Sequence, residues 1–490
     1  MVVCRRHERQ RAAYADPRHP AAVTRHEPAP HDLPTDRPTR LNEKEEIMRR
    51  SLLGLISILI LVAGVGFTFQ PPQPEGSSVK ATEPVLFVDP HGPLYLAWVE
   101  TRGEGQVLMF TRSTDEGKTW EADRRLDLGV PEGTQATGPQ LAADGKGHLL
   151  LVWRSRVKGE GKAILLTTSP DFGKSWSEPK PLNTSDGYQP QLGLDDKGQA
   201  FIVWYEHERG LSMRQVKGTS IRFTTSTDFG KSWSDPVALN DGSGMATMPQ
   251  LATAGSGRPV VAWQEAKAGQ TPLFVATSAD RGKTWQTAKL DRPGSVTGVP
   301  ALAADQKGHI VISWTEIIEL PDLFTAVSSD FGKSWSKEVR PRTTPPGETP
   351  AMNPQLALSS TGQAALVWED RRAGASDIYL AVSSDFGKSW SKEVRLDPGE
   401  PGATPSRSPR LVLDPTGRIT VVWEEETGGA SRLDRAVSPD FGKSWRQQPI
   451  PEPATSATKP RLLFVKSRLF LTAEVSQPGK KGIVVTLLAP

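Results

Sequence analysis

The sequence of 490 residues has few of the residues on which several kinds of site depend. Its one cysteine, Cys4, excludes a disulfide framework and a cysteine-ligated metal from the rest of the chain. No two histidines have the H-x-x-x-H spacing of a zinc site, and no G-x-x-x-x-G-K-[ST] phosphate loop occurs. These absences predict that the protein has neither a metal centre nor a cofactor.

The main part of the chain also lacks net charge. Residues 1 to 50 hold 11 basic and 8 acidic residues, which is the whole of the net charge of +3. The remaining residues are formally neutral, so the basic composition does not indicate a nucleic-acid partner.

The beginning of the chain predicts export. Residues 1–47, rich in Arg, His, Pro and Ala, are expected to be disordered or a mis-assigned extension, because Met48 is a well-placed start. Arg49 and Arg50 precede Ser51–Phe69, which carries no charge, so residues 48–69 are interpreted as a signal peptide or a signal anchor. We favour an anchor at the extracytoplasmic face, because the run exceeds the ~7–15 residues of a signal peptide. A cleaved signal and secretion are the alternative, and residues 70–78 form a Pro-rich linker.

Residues 79–490 contain an internal repeat. Seven copies of S-x-D-x-G-K-[ST]-W alternate with a second element, in which a Pro opens one apolar run and a Trp ends the next. All 14 Trp belong to these two elements, two in each of seven repeats. The Asp residues of the boxes, which we interpret as structural turn residues, are Asp115, Asp171, Asp228, Asp280, Asp330, Asp385 and Asp440.

Each repeat predicts four short strands, as in Gln355–Leu358, Gln363–Trp368, Asp377–Ser383 and the strand that follows Trp390. The strands are apolar on both faces, so each sheet must be covered on both sides. The pattern therefore predicts an all-β fold, a β-propeller of four-stranded antiparallel blades. Eight first strands predict eight blades, closed by an N-terminal strand at Ser78–Thr82; seven blades with a dangling C-terminal unit is the alternative.

The boxes, for instance Ser383–Trp390, resemble the Asp-box (BNR) repeats of sialidases and sialidase-like propellers. The resemblance covers roughly residues 79–490 and implies the architecture more than the activity. Proteins with this repeat include sialidases, other glycosidases, sorting receptors and assembly factors, so function must be argued from a site.

A ligand site is expected at the end of the propeller opposite the boxes, where polar residues recur. Two residues after the second-strand Trp lie Glu100, Glu206, Glu265, Glu316, Asp370 and Glu425, with Ser155 as the exception. After the first-strand Pro lie Gln140, Gln191, Gln250, Gln355, Arg410 and Arg461. We predict polar rings at the channel mouth, of a kind that binds a glycan, a cation or a basic patch of a protein. We favour a structural interpretation of these rings, in which each residue caps the backbone of a neighbouring blade or pairs with an arginine such as Arg371 or Arg372, because repetition in every blade is what a structural role predicts. The positions that break the repeat include Arg154, Tyr188, Tyr205 and Arg209.

The resemblance to sialidases implies a specific catalytic alternative, with a Tyr nucleophile, a Glu that activates it and arginines that hold a carboxylate. In this sequence the candidates are Tyr205 or Tyr188 as nucleophile, Glu206 as base, and Arg410 with Arg461 in the carboxylate grip. No R-I-P motif occurs, and Thr82-Glu83-Pro84-Val85 stands where that arginine is expected. We therefore favour a tethered, non-catalytic glycan- or protein-binding module, with an exo-acting sialidase as the alternative.

Overall fold

The fold is all-β in the part of the chain that the structure, a computed structural model, describes. The described residues are 68–69, 80–89, 92–126, 133–157, 161–183, 185–195, 197–207, 218–255, 257–290, 295–450, 456–477 and 480–488. Among these residues there is no helix with the length and hydropathy needed to cross a bilayer. The predicted extension 1–47, the linker 70–78 and most of the segment 48–69 lie outside the described residues.

The strands are numbered in chain order. The first seventeen are β1 (Thr68–Phe69), β2 (Lys80–Val88), β3 (Leu94–Arg102), β4 (Gly105–Ser113), β5 (Arg124–Arg125), β6 (Gln135–Ala143), β7 (Leu149–Val157), β8 (Gly161–Ser169), β9 (Lys180–Pro181), β10 (Gly187–Leu194), β11 (Ala200–His207), β12 (Thr219–Ser226), β13 (Val237–Ala238), β14 (Met245–Ala254), β15 (Arg258–Ala266), β16 (Leu273–Thr277) and β17 (Gln286–Lys289). The others are β18 (Ser295–Ala304), β19 (Ile310–Ile317), β20 (Pro321–Ser328), β21 (Ala351–Leu358), β22 (Ala364–Asp370), β23 (Asp377–Ser383), β24 (Val394–Arg395), β25 (Ser406–Leu413), β26 (Ile419–Thr427), β27 (Ala430–Ser438), β28 (Arg446–Pro449), β29 (Ser456–Val465), β30 (Arg468–Gln477) and β31 (Lys480–Leu488).

From β2 onward the strands pair as consecutive antiparallel triplets, and we call each triplet with its short fourth strand a repeat. Complete four-stranded sheets are β6–β9, β21–β24 and β25–β28. The fifth repeat departs from the predicted pattern: β18, β19 and β20 form a three-stranded sheet, with a single bridge from Thr325 to Val339 in place of a fourth strand. The sequence pattern therefore predicted antiparallel sheets correctly. In the fifth repeat, however, it predicted a full fourth strand where the structure has only this bridge.

The core lies between neighbouring sheets, as expected for strands that are apolar on both faces. One cluster joins Val99 and Phe110 of the first repeat to Leu141 and Trp153 of the second. The second-strand Trp residues of the first seven repeats are at most 1% exposed. The Trp residues therefore stabilise the packing between repeats.

Each Asp-box forms the turn between the third and fourth strands. In the fourth repeat, Asp280 accepts hydrogen bonds from the Ser278 hydroxyl (2.8 Å), the Thr284 N–H (2.8 Å) and the Thr284 hydroxyl (2.6 Å). Gly282 N–H donates to Ser278, and Trp285 Nε1 donates to the Gly282 carbonyl. The bonds from Thr284 hold the pKa of Asp280 at about 2. Each box Asp is thus bound inside its own turn, since the other six boxes repeat the bonds to the Asp.

Two N-terminal strands lie beside the last repeat. Thr68–Phe69 pairs antiparallel with β31, with Thr68 opposite Thr486. Lys80 of β2 forms a parallel bridge with Lys481 of β31, while Lys80–Thr82 pairs antiparallel with β3. The predicted fourth-strand role is therefore corrected for Lys80–Thr82, which begins the first strand of the first repeat four residues before Pro84; Ser78 and Val79 lie outside the described residues.

Candidate functional site

The acidic residues that follow the second-strand Trp by two positions are buried. Their exposed fractions are 0–7% for Glu100, Glu206, Glu265, Glu316, Asp370 and Glu425. Five of them accept a hydrogen bond from the indole Nε1 of the Trp two residues earlier, at 3.0–3.4 Å. Glu100 accepts from Arg102 instead, and the indole nitrogens of Trp98 and Trp153 are buried without a partner. These six acids of the predicted polar ring are therefore buried acceptors, which agrees with the structural interpretation, and their role in ligand binding stays a prediction.

We expect Glu265→Ala to destabilise the protein without affecting ligand binding. It removes the acceptor of Trp263 Nε1 and Asn240 Nδ2, and leaving buried donors unpaired costs about 1–3 kcal/mol. Urea unfolding measures the loss, with Glu265→Gln, which keeps a carbonyl acceptor, as the control. Loss of glycan binding at unchanged stability would instead place Glu265 in the ligand site.

The residues that follow the first-strand Pro are half-buried. Gln140, Gln191, Gln250 and Gln355 all have this intermediate exposure. The side chains of Gln250 and Gln355 donate to the carbonyl of the preceding Pro, at 2.8 Å in both cases, and Arg410 donates to Pro409 at 2.9 Å. These three side chains therefore hold the backbone of their own strand.

The two predicted carboxylate-binding arginines lie among glutamates of the protein. Burial lowers the pKa of Arg410, nearby Arg461 lowers it further, and Glu424 and Glu369 oppose this shift. Burial likewise lowers the pKa of Arg461, against the effect of Glu83 and Glu474. Among the described residues, no hydrogen bond, ion pair or ring contact joins either arginine to Tyr188 or Tyr205. The structure thus brings the two arginines near each other, but does not place them with the tyrosines.

Each first strand carries a β-bulge at its X-Pro step, and the residue before the bulge Pro has a positive φ in seven repeats. One of these residues is Gly138, and the six others, with φ between 47° and 57°, are Glu83, Gln189, Met248, Asn353, Ser408 and Lys459. Such a backbone costs of order 1–3 kcal/mol for a non-glycine residue, so neighbouring contacts must hold it in place. The bulges change the direction of each first strand, and they lie near the end of the strand opposite the boxes.

Glutamates directly after the second-strand Trp bind these bulges across the gap between repeats. Glu369 accepts from the Ser408 N–H at 2.8 Å, and Glu424 accepts from the Lys459 N–H at 2.7 Å. The register places Glu474 at the same position in the last repeat, where it accepts from the Glu83 N–H at 2.9 Å. The sequence analysis missed this position, although strand alternation indicates that it faces away from the buried Trp.

In the second and third repeats, aromatic and cationic side chains lie at this same end of the strands, opposite the boxes. The Tyr188 and Tyr205 rings stack with centroids 4.9 Å apart and an interplanar angle of 6°. Lys162 Nζ donates to the Tyr188 hydroxyl at 2.5 Å, and the Arg154 guanidinium lies 5.6 Å from the Tyr188 ring centroid. His207 contacts both rings edge-on, and its Nδ1 is buried without a partner. We call these five residues the tyrosine cluster.

The protonation states of the tyrosine cluster favour binding over nucleophilic attack. Burial raises the pKa of Tyr205, Tyr188 raises it further, and Arg154 only partly opposes the shift. Burial lowers the pKa of His207, which keeps the imidazole neutral at pH 7. Glu206, the predicted base, follows Tyr205 on the opposite face of the strand and accepts from Trp204 Nε1 and Arg222 Nε. The catalytic roles of Tyr188, Tyr205 and Glu206 stay a prediction, and Arg209 lies outside the described residues.

A family model described as a BNR repeat-like domain matches residues 68–204 and 195–400. No curated protein matches the chain. Solved structures similar to the chain include an ulvan lyase from a new family of polysaccharide lyases (13% identity, covering 70% of this chain and 90% of that one, TM-score 0.48). Others are an alpha-L-arabinofuranosidase from Fusarium graminearum (19%, 63% and 95%, 0.40) and an intramolecular trans-sialidase from Ruminococcus gnavus (15%, 70% and 90%, 0.37). These likenesses do not bear on the activity of the present chain.

Proposed function

This chain belongs to the BNR repeat-like domain family, and on that premise we propose that it is an exported, non-catalytic β-propeller that binds an acidic glycan at the tyrosine cluster. The observation that carries the proposal is the stacked Tyr188–Tyr205 pair with two cations beside it. Aromatic side chains supply apolar area at low entropic cost, and Arg and Lys recognise carboxylate or sulfate groups. The cluster interrupts a repeated pattern, as a recognition site does.

The proposed architecture is a closed ring of eight blades. The contact between Glu474 and the Glu83 N–H supports closure, because it joins the last repeat to the first as Glu424 joins the seventh to the eighth. The pairing of β1 with β31 also supports it, since β1 takes the place of a fourth strand in the last repeat. Closure removes the open sheet edges that a linear array would expose.

The proposed location is the extracytoplasmic face of the membrane. The proposal rests on Arg49 and Arg50 ahead of the uncharged run Ser51–Phe69, which is typical of an exported segment whose basic end stays in the cytoplasm. An uncleaved run tethers the propeller, whereas a cleaved one releases it.

We expect Tyr188→Ala to weaken glycan binding by at least about tenfold, because an aromatic side chain that the bound ligand covers carries a large share of binding energy. Binding of the full chain to an array of oligosaccharides is measured, with uronic-acid, sialylated and neutral members as the probes. The matched control is Tyr95→Phe, at a buried position in β3 away from the cluster. Retention of neutral oligosaccharides alone, or equal binding by the Tyr188 variant, would contradict the proposal.

A sialidase-type hydrolase remains the catalytic alternative, and a fluorogenic sialoside tests it directly. We expect no turnover, because the Glu206 carboxylate is bound by Trp204 and Arg222 and because the pKa of Tyr205 is raised. Turnover that Tyr205→Phe or Tyr188→Phe abolishes would replace the binding module by an enzyme.

A protein ligand is a second candidate, favoured by one observation. Five exposed apolar side chains lie in the fourth and fifth repeats at Met245, Val299, Ile317, Ile318 and Leu320, with exposed fractions of 39–47%. Of these, Ile317 ends β19, and Ile318 and Leu320 lie in the β19–β20 turn, at the end opposite the boxes. Capture of a protein that Ile318→Asp prevents and Tyr188→Ala does not would favour this function.

A further inference from the structure

The direction of β1 determines the end at which the preceding chain reaches the propeller. Thr68 lies opposite Thr486 and Phe69 opposite Val485, and the strands are antiparallel. The later residues of β31 lie at the Asp-box end, since Leu488 pairs with Leu469 beside the turn between β29 and β30. The chain therefore enters β1 from the Asp-box end and runs toward the opposite end.

No spacer separates this strand from the predicted anchor. The uncharged run Ser51–Phe69 includes β1 itself, so the Pro-rich residues 70–78 connect β1 to β2 rather than the membrane to the propeller. A membrane-spanning helix over the 17 residues 51–67 of the predicted anchor would be about 25 Å long at 1.5 Å per residue, against a hydrocarbon thickness of about 30 Å. An uncleaved anchor thus leaves no residues with which to hold the Asp-box end away from the bilayer.

The surface at the Asp-box end suits an anionic membrane. Every box has a lysine three positions after its Asp, and these lysines are exposed, as at Lys174, Lys231 and Lys388. The box Asp carboxylates are bound within their turns by N–H and hydroxyl donors, whereas a lysine ammonium extends beyond the backbone on a four-carbon stem.

From these observations we infer that the Asp-box end lies against the anionic lipid headgroups of the membrane, so that the tyrosine cluster faces away from it. This inference rests on the proposed uncleaved anchor. It assigns a binding surface to the lysines of the boxes, whose Asp residues serve the turns. Anionic lipid attracts lysines that lie within a Debye length of the surface.

The full chain in lipid nanodiscs tests the inference by amine labelling and mass spectrometry. We expect Lys174, Lys231 and Lys388 to be labelled at least about fivefold more slowly in phosphatidylglycerol-containing discs than in detergent, and more weakly protected in phosphatidylcholine discs or high salt. Lys267, an exposed residue in the turn between β15 and β16, is the internal control and keeps its rate. The triple variant Lys174→Gln, Lys231→Gln, Lys388→Gln should reduce the difference between the two lipids at Lys443.

Two results would overturn the inference. Equal labelling of the box lysines in discs and detergent, or protection of Lys267 instead, would reject the orientation while leaving the proposed anchor in place. Release of the chain from membranes by alkaline carbonate would reject the anchor, and with it this inference, but not the glycan site.

Discussion

Replacing Arg342 by Met is expected to lower the free energy of unfolding by about 3–5 kcal/mol, because it removes one partner from a buried ionic network. The side chains of Arg342, Asp322 and Asp370 are 0% exposed. Arg342 lies 3.2 Å from Asp322 and 3.4 Å from Asp370, and it also donates to both oxygens of Thr349. It thus ties the segment after the fifth Asp-box to the strands of two repeats.

The expected loss comes from a buried network that is left with more acids than cations in a site that water does not reach. Arg340 still pairs with Asp322, and Arg372 with Asp370, so two arginines would then face Asp322, Asp370 and Glu393. Urea unfolding at neutral pH measures the change. The control is Arg407→Gln, which breaks an exposed pair with Glu426 and should cost less than about 1 kcal/mol. Equal effects of the two substitutions would show that the network does not stabilise the fold.

The second large effect is expected at Asp397, where a carboxyl group lies at a position that other repeats fill with Asn. Asp397 accepts a hydrogen bond from the Ile378 N–H, as Asn183 accepts from Ile164 and Asn240 from Ile221. Burial raises the pKa of Asp397 to about 7, and its Oδ1 is buried without a partner. Below about pH 7 the folded protein therefore prefers the protonated acid.

We expect Asp397→Asn to stabilise the protein by about 3–4 kcal/mol at pH 8 and to change little at pH 4. A carboxyl whose folded pKa is above its unfolded value of 3.8 contributes most at low pH, and that contribution is lost as the pH rises through about 7. A shift of about three pKa units corresponds to about 4 kcal/mol. Asn stays neutral, and its amide can donate to the carbonyl of Ser376. The other repeats show the same bond, because Asn183 donates to the Lys162 carbonyl and Asn240 donates to the Thr219 carbonyl.

The pH dependence of this difference is measured by urea unfolding of both proteins from pH 4 to 8. Asn183→Asp provides the reverse test, since it puts a carboxyl into the same position of the second repeat and should destabilise mainly at high pH. A stabilisation by Asp397→Asn that is the same at pH 4 and pH 8 would contradict the assignment, because a packing effect does not titrate.

Strand alternation could have corrected the sequence prediction of the site. Glu206 follows Trp204 by two positions, so both side chains lie on one face, and a buried Trp implies a buried neighbour. Tyr205 and Glu424 occupy the alternate position, and it is there that repeats contact one another and the tyrosine cluster forms. Repetition of an acid in six repeats pointed to a shared structural partner, which is the indole nitrogen in five of them.

The sequence by itself determined the strand order, the repeat and the Asp-box turns, because period, turn residues and Trp spacing act locally. Only the tertiary structure decided that Thr68–Phe69 lies antiparallel along the last strand, whereas Lys80–Thr82 begins the first strand of the first repeat and meets the last strand at Lys80 alone. It alone placed Lys162 beside Tyr188 and bound Glu474 to the Glu83 backbone, 391 positions away in the chain. The physical reason is that contacts between repeats depend on which strand faces pack together and on bulges that change the direction of a strand. No local sequence pattern specifies these contacts.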